Sequence, residues 1–287
     1  GGQITAMYPE KDIFDVAGFP SVRGRVLVEE LAKQAEQFDP HYVLGDQATQ
    51  IDAPDGGPVT LTLASGTTVT AKAAIITGGI GSFKPRPLPA GGEWEGKGLV
   101  FFIPKPEEHA GKDIVIVGGG DSALDWAHML HPIARSVSVV HRRDQFRAHG
   151  TMVDKAREMG ISLLTPCEVT AVRGEGGITE VEVTSKTDGS IRVLPADTLV
   201  AALGFIANIG PMTGWGLDLE KRHIRVDTTM RTNLPGVFAA GDIAVYPGKV
   251  PLLSIGFGEA ALAVNNAAPL VSPELGVFPG HSSGESQ

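Results

Sequence analysis

The run Val117-Gly118-Gly119-Gly120-Asp121-Ser122-Ala123 constrains this chain more than any other stretch. It follows a continuous apolar segment, Asp113–Val117, and opens an amphipathic one, Asp121–Leu130, with Ala123, Leu124, Ala127 and Leu130 on a single helical face. Strand, glycine turn and helix in that order fit G-x-G-x-x-[G/A], with Gly118, Gly120 and Ala123 at the three small positions. The first glycine permits the tight turn, the second lets a pyrophosphate approach the backbone, and the small third residue lets helix and strand pack closely. The N–H groups at the helix start, around Asp121 and Ser122, then face the anion.

The flanking pattern extends this unit. Ser136–His141 reads as a second strand, His149–Met159 as a second helix and Ile161–Leu164 as a third strand, an order that predicts a parallel sheet. Glu168–Arg173, Glu180–Ser185 and Ile191–Leu194 read as an antiparallel meander, and Thr198–Ala202 as a returning buried strand. Before this unit, 21–38 has helical spacing. Tyr42–Leu44, Ala48–Ile51, Val59–Leu63, Val69–Ala71 and Ala73–Thr77 read as strands. After it come Ile224–Val226, a strand Val237–Ala240 entering the turn Gly241-Asp242, and a small-residue helix over Gly256–Ala268. The expected fold is α/β, with two dinucleotide-binding, Rossmann-like three-layer domains. One, at 98–226, is inserted into another made of 1–97 and 227–287.

The end of the second strand selects the nucleotide. An NAD site places a carboxylate there to bind the ribose 2′-hydroxyl. Here the residues are His141-Arg142-Arg143, with Arg147 following, and Arg142 lies 24 positions after Gly118 (142 − 118). Guanidinium groups bind a 2′-phosphate through paired charge-assisted hydrogen bonds, and a carboxylate would repel it. NADP is therefore expected over NAD; a solvated basic loop is the bland reading of the same residues, and Asp144 is available to pair one arginine.

Composition narrows the function classes. With 24 Lys plus Arg against 33 Asp plus Glu, the net charge is −9, so there is no global attraction for nucleic acid or an anionic membrane. No apolar run reaches the roughly 18–20 residues of a bilayer span. The one cysteine, Cys167, forms neither an internal dithiol relay nor a Cys-pair metal site and reads as core; a cytoplasmic compartment is the simplest expectation. The start at Gly1-Gly2-Gln3 reads as the middle of a loop, in a chain lacking its beginning.

Taken together, Gly1-Gly2-Gln3, Ile76-Thr77-Gly78-Gly79, the Gly118–Ala123 turn with His141-Arg142-Arg143, Leu203-Gly204 and Val237-Phe238-Ala239-Ala240-Gly241-Asp242 resemble the two-dinucleotide-domain flavoproteins, in an order like that of thioredoxin reductase. That enzyme carries a Cys-x-x-Cys just beyond the turn. This chain has Asp121-Ser122-Ala123-Leu124-Asp125-Trp126-Ala127 instead. Tyr8–Lys11, Asp15–Pro20, Phe146–His149 and His281-Ser282-Ser283 are similar to the thioredoxin-reductase-like ferredoxin–NADP reductases. The resemblance implies FAD and NADP(H) as cofactors. Hydride would pass from NADPH to the flavin, and single electrons then to ferredoxin or flavodoxin. It implies FAD contacts at Gln3, Tyr8, Ala48, Phe83, Asp242 and Ser283, with Tyr8 and His281 on the two flavin faces and Asp242 accepting hydroxyl hydrogen bonds. It implies NADP contacts at Gly118, Gly120, Asp121, Ser122, Ala123, His141, Arg142, Arg143 and Arg147, no catalytic side chain, no metal, and a homodimer. Arg23, Arg25, Lys84 and Arg86 are candidates for docking an acidic carrier. The strand, turn and helix with which the family opens are expected to be missing here, which would leave two other readings open: a non-catalytic NADP(H)-binding remnant, or an NADPH reductase of another small acceptor.

Overall fold

The structure, a computed structural model, describes residues 2–278 and 280. It divides into two compact units. One holds residues up to Lys11 together with Lys84–Ile206; the other holds Asp12–Phe83 and the chain from Ala207 onward.

The first unit is built on a five-stranded sheet. Its order is Ser162–Leu164, Ser136–Val140, Asp113–Val117, Thr198–Ala201, Leu99–Val100, and every neighbouring pair is parallel. Parallel strands need crossovers, which here include the helices Asp121–Leu130 and Gly150–Glu158. Alternation along the strands sorts the core into two layers. Ile114, Ile116, Val137, Val139 and Val200 pack with Ala123, Leu124, Ala127, Leu130 and Ala156 of the helices. Val115, Val117, Val140, Leu199 and Ala201 pack against Val169, Val172, Ile178, Val181 and Val183 of an antiparallel meander. That meander comprises Cys167–Gly174, Ile178–Ser185 and Ile191–Pro195. The result is a three-layer, Rossmann-like arrangement.

The second unit contains the helices Gly24–Glu36 and Leu253–Val271 and an antiparallel sheet of Ala48–Asp52, Val59–Leu63 and Thr68–Ala71. Ala74–Ile76 pairs in parallel with Val237–Ala239. Val59, Ile224, Val237, Ala239 and Ile243 form one side of its core; Phe238, Ala240, Ala263 and Ala267 form the other.

The unit boundaries differ from the expected domain limits for a packing reason. Leu88 and Trp94, in the Pro- and Gly-rich connection, pack into the meander-side core of the first unit. Ile209, Leu217 and Ile224 pack into the second. Two local expectations also change. Tyr42, Val43 and Leu44 form no strand and are exposed; no strand among the described residues pairs with them, and an unpaired apolar run has no ladder to join. Gly2–Met7 is a short helix rather than a loop.

Candidate functional site

In the first unit the site grows from the carboxyl end of Asp113–Val117. Gly118 donates its N–H to Val140 O at 3.0 Å. A Cβ there would stand 2.5 Å from Ala202 O and 2.9 Å from the Ala123 methyl, so neither Gly118 nor Ala123 has room to grow. At Gly119 a Cβ would meet the His141 ring at 2.1 Å. At Gly120 nothing lies within 4 Å, and Gly120 caps the helix Asp121–Leu130 with no side chain on its free N–H groups. The turn is closed on its protein side and open where an anion would approach.

The arginine loop is fastened to this turn. Arg147 N–H and Ala148 N–H both donate to Gly119 O, at 2.6 and 3.1 Å. His149 N–H donates to the Asp121 carboxylate at 2.9 Å. A phosphate on the turn and a phosphate on the loop would therefore be held in fixed register. Arg142, Arg143 and Arg147 are exposed and line an open cavity of about 780 Å³ together with Asp144, Gln145, Phe146, Pro166, Lys186 and Thr187. Their guanidinium groups make no ion pair among the described residues, and the Asp144 carboxylate takes none of them.

His141 has a different setting from its neighbours. It is 8% exposed, its ring packs on Gly119 and stacks on Phe146 at 5.1 Å, and its Nε2 lies 3.1 Å from Gln145 O. Burial, reinforced by the nearby arginines, holds its pKa below the ordinary histidine value and favours the neutral ring. Asp121 likewise engages the protein, through His149. Cys167 is half-buried beside the meander core, and burial pushes its thiol up, which opposes a thiolate role.

In the second unit, Ala74–Ile76 and Val237–Ala239 run parallel, and Ala240 N–H donates to Ile76 O at 3.0 Å. Their carboxyl ends thus deliver Thr77-Gly78-Gly79 and Gly241-Asp242 side by side, the edge at which α/β sheets take ligands. Gly241 has φ +80, and Asp242 is half-buried in the turn. A cluster that sequence reasoning missed fixes this turn. Glu259, 2% exposed on the last helix, accepts from Gly241 N–H at 2.8 Å, from the Tyr246 hydroxyl at 2.6 Å and from the Lys249 ammonium. Lys249 also donates to Gly241 O at 3.2 Å. Accepting from its hydroxyl, the Glu259 carboxylate pushes the Tyr246 phenol up to about 12.

The remaining expected residues fall as follows. Gln3 and Tyr8 are half-buried in the first unit; Ala48 and Phe83 are half-buried in the second. His281 and Ser283 lie outside the described residues. Arg23 and Arg25 belong to the second unit, Lys84 and Arg86 to the first. No helix among the described residues is long and apolar enough to cross a membrane.

A glycine turn, an arginine loop and a second parallel-strand mouth mark a protein of the dinucleotide-dependent oxidoreductase class. The sequence matches the pyridine nucleotide-disulphide oxidoreductases over residues 5–266, and the chain belongs to that family. Among its relatives, the ferredoxin–NADP reductase of Nocardioides sp. is 58% identical over 286 residues, covering 99% of this chain and 86% of that protein. That of Thermus thermophilus is 46% identical over 289 residues, again 99% and 86%. The T. acidophilum thioredoxin reductase structure superposes with a TM-score of 0.77 at 26% identity, covering 95% of this chain and 87% of that one. The Lactococcus lactis thioredoxin reductase, with the same TM-score at 23% identity over 95% of this chain and 88% of that one, shares the fold.

Proposed function

We propose that the chain is an NADPH-dependent flavoprotein reductase that passes electrons to ferredoxin. The observation that carries this reading is the open arginine cavity fastened to the Gly118–Ala123 turn, in a chain related to proteins named ferredoxin–NADP reductase. The free N–H groups at Gly120, Asp121 and Ser122 bind the pyrophosphate. Arg142, Arg143 and Arg147 grip the 2′-phosphate. His141 supports the turn from beneath, as its burial against Gly119 argues, and Asp121 anchors the loop through His149.

The residues of the second unit fit FAD. Gly78-Gly79 and Gly241-Asp242 supply main chain and a carboxylate at adjacent parallel-strand ends, and Asp242 accepts hydroxyl hydrogen bonds from a polyol chain. Ala48 and Phe83, in this unit, are assigned to the same cofactor. When bound, FAD supplies the conversion between hydride and single-electron transfer. The chain's own residues bind, orient and shield; none need donate a proton. The lone cysteine disfavours a dithiol acceptor.

The test is cytochrome c reduction with NADPH. Reduction that depends on added ferredoxin supports the reading. Equal rates with and without ferredoxin refute it in favour of another small acceptor. Flavodoxin in place of ferredoxin reads the acceptor preference.

A further inference from the structure

The cavity beside the arginine loop has a second wall that comes from the antiparallel meander. Lys186 and Thr187, at the turn after Ile178–Ser185, line it with Pro166. Two main-chain bonds hold that wall in place. Lys186 N–H donates to Pro166 O at 2.8 Å, and Cys167 N–H donates to His141 O, also at 2.8 Å. His141 immediately precedes Arg142, so the meander is pinned at the point where the arginine loop begins. The Lys186 ammonium pairs with the Glu168 carboxylate at 2.6 Å, and both side chains are half-exposed. The other nearby carboxylate on this turn, Asp188, is engaged by the Ser190 N–H and hydroxyl at 3.1 and 2.8 Å.

We infer that Lys186 is a specificity-determining residue of the nucleotide site, a fourth cation that moves from Glu168 to the 2′-phosphate when NADP(H) binds. The inference rests on the reading of the arginine loop given above. A phosphomonoester carries a charge of about −1.5 to −2 at neutral pH. The ammonium is a compact point charge on a flexible stem, and it leaves a solvent-screened partner at little cost. The three arginines come from one loop, on one side of the cavity. Lys186 approaches from the meander, and cations on two walls enclose the phosphate more completely than cations on one. Glu168 holds the ammonium near the cavity and competes with the phosphate for it.

The test is calorimetric titration of the purified protein with 2′,5′-ADP and with 5′-AMP, which differ only in the 2′-phosphate. This readout is independent of flavin chemistry. K186M should weaken 2′,5′-ADP by about three- to fivefold, the range of a screened charge contact, and leave 5′-AMP unchanged. K186R should restore binding. E168Q should strengthen 2′,5′-ADP, because it removes the competitor. Equal weakening of both ligands by K186M, no weakening of either, or a loss in E168Q matching that in K186M would overturn the inference; the last would make Lys186 only a prop for its ion pair. Wild-type protein that binds 2′,5′-ADP no better than 5′-AMP would instead defeat the NADP reading itself.

Discussion

Glu259→Gln is the most informative test of how the second unit holds its Gly241-Asp242 turn. The glutamate is 2% exposed and receives hydrogen bonds from three donors, one of them the Lys249 ammonium, itself almost fully buried. The amide keeps the volume of the carboxylate and part of its hydrogen bonding. It cannot neutralise the ammonium, which is left in a low-dielectric site without a counter-charge. Breaking one side of such a pair costs about 3–5 kcal/mol. Replacing both members, in Glu259→Gln with Lys249→Met, removes the stranded charge and should recover much of that loss. Urea unfolding gives the stability change, and hydrogen exchange in peptides covering 237–271 localises it. A loss below about 1 kcal/mol in the single variant, or a double variant no more stable than the single, would refute the reasoning. The result matters for function because Glu259 and Lys249 hold opposite sides of Gly241, next to Asp242.

Other outcomes follow from the first unit. Arg142→Ala with Arg143→Ala removes two of the guanidinium groups proposed to hold the 2′-phosphate; at about 1 kcal/mol for each exposed, screened contact, KM for NADPH should rise by at least tenfold while KM for NADH stays near its starting value; equal increases would deny the arginines a role in selection. Gly119→Ala places a methyl against the buried His141 ring, where the unshifted contact would be 2.1 Å. It should lower stability by about 1–3 kcal/mol and weaken NADPH binding, and a silent variant would disprove the packing argument. The pKa values of His109, His128 and His141 are all lowered, each chiefly by burial. A depressed folded pKa means that the unfolded chain binds the proton more readily. Stability is therefore present above about pH 6.5 and is lost as pH falls below it. All three histidines lie in the first unit, so amide protection factors there, corrected for the intrinsic slowing of exchange in acid, should fall from about pH 7 to 5; protection factors unchanged over that range would contradict the assignment.

The architecture of the first unit was readable because its signals are local. The apolar run at 113–117, the glycines that follow and the 3.6-residue spacing of Ala123, Leu124, Ala127 and Leu130 each encode a short piece of backbone, and together they leave little choice of fold. The gathering of Arg142, Arg143 and Arg147 on one loop at an open cavity was readable for the same reason: they directly follow the second strand. What stayed hidden depends on distant meetings. His141 looks like its arginine neighbours in sequence, yet strand alternation and the Gly119 gap bury it. Lys186 reaches the cavity only through the pairing of Cys167–Gly174 with Ile178–Ser185. Nothing in the sequence around Glu259 and Lys249 signals that helix packing encloses them at the Gly241 turn. Tyr42–Leu44 shows the opposite error: β propensity without a neighbouring strand yields no strand.

The proposal on which the rest depends is that this chain holds NADPH, in preference to NADH, and passes its electrons to a bound flavin. Its most direct test is the visible absorbance of the purified, flavin-loaded protein titrated anaerobically with each nucleotide. The account predicts loss of the oxidised flavin bands with near-stoichiometric NADPH, far less with the same amount of NADH, and recovery on adding oxidised ferredoxin. Bands that NADPH leaves intact, or that both nucleotides remove equally well, would contradict it.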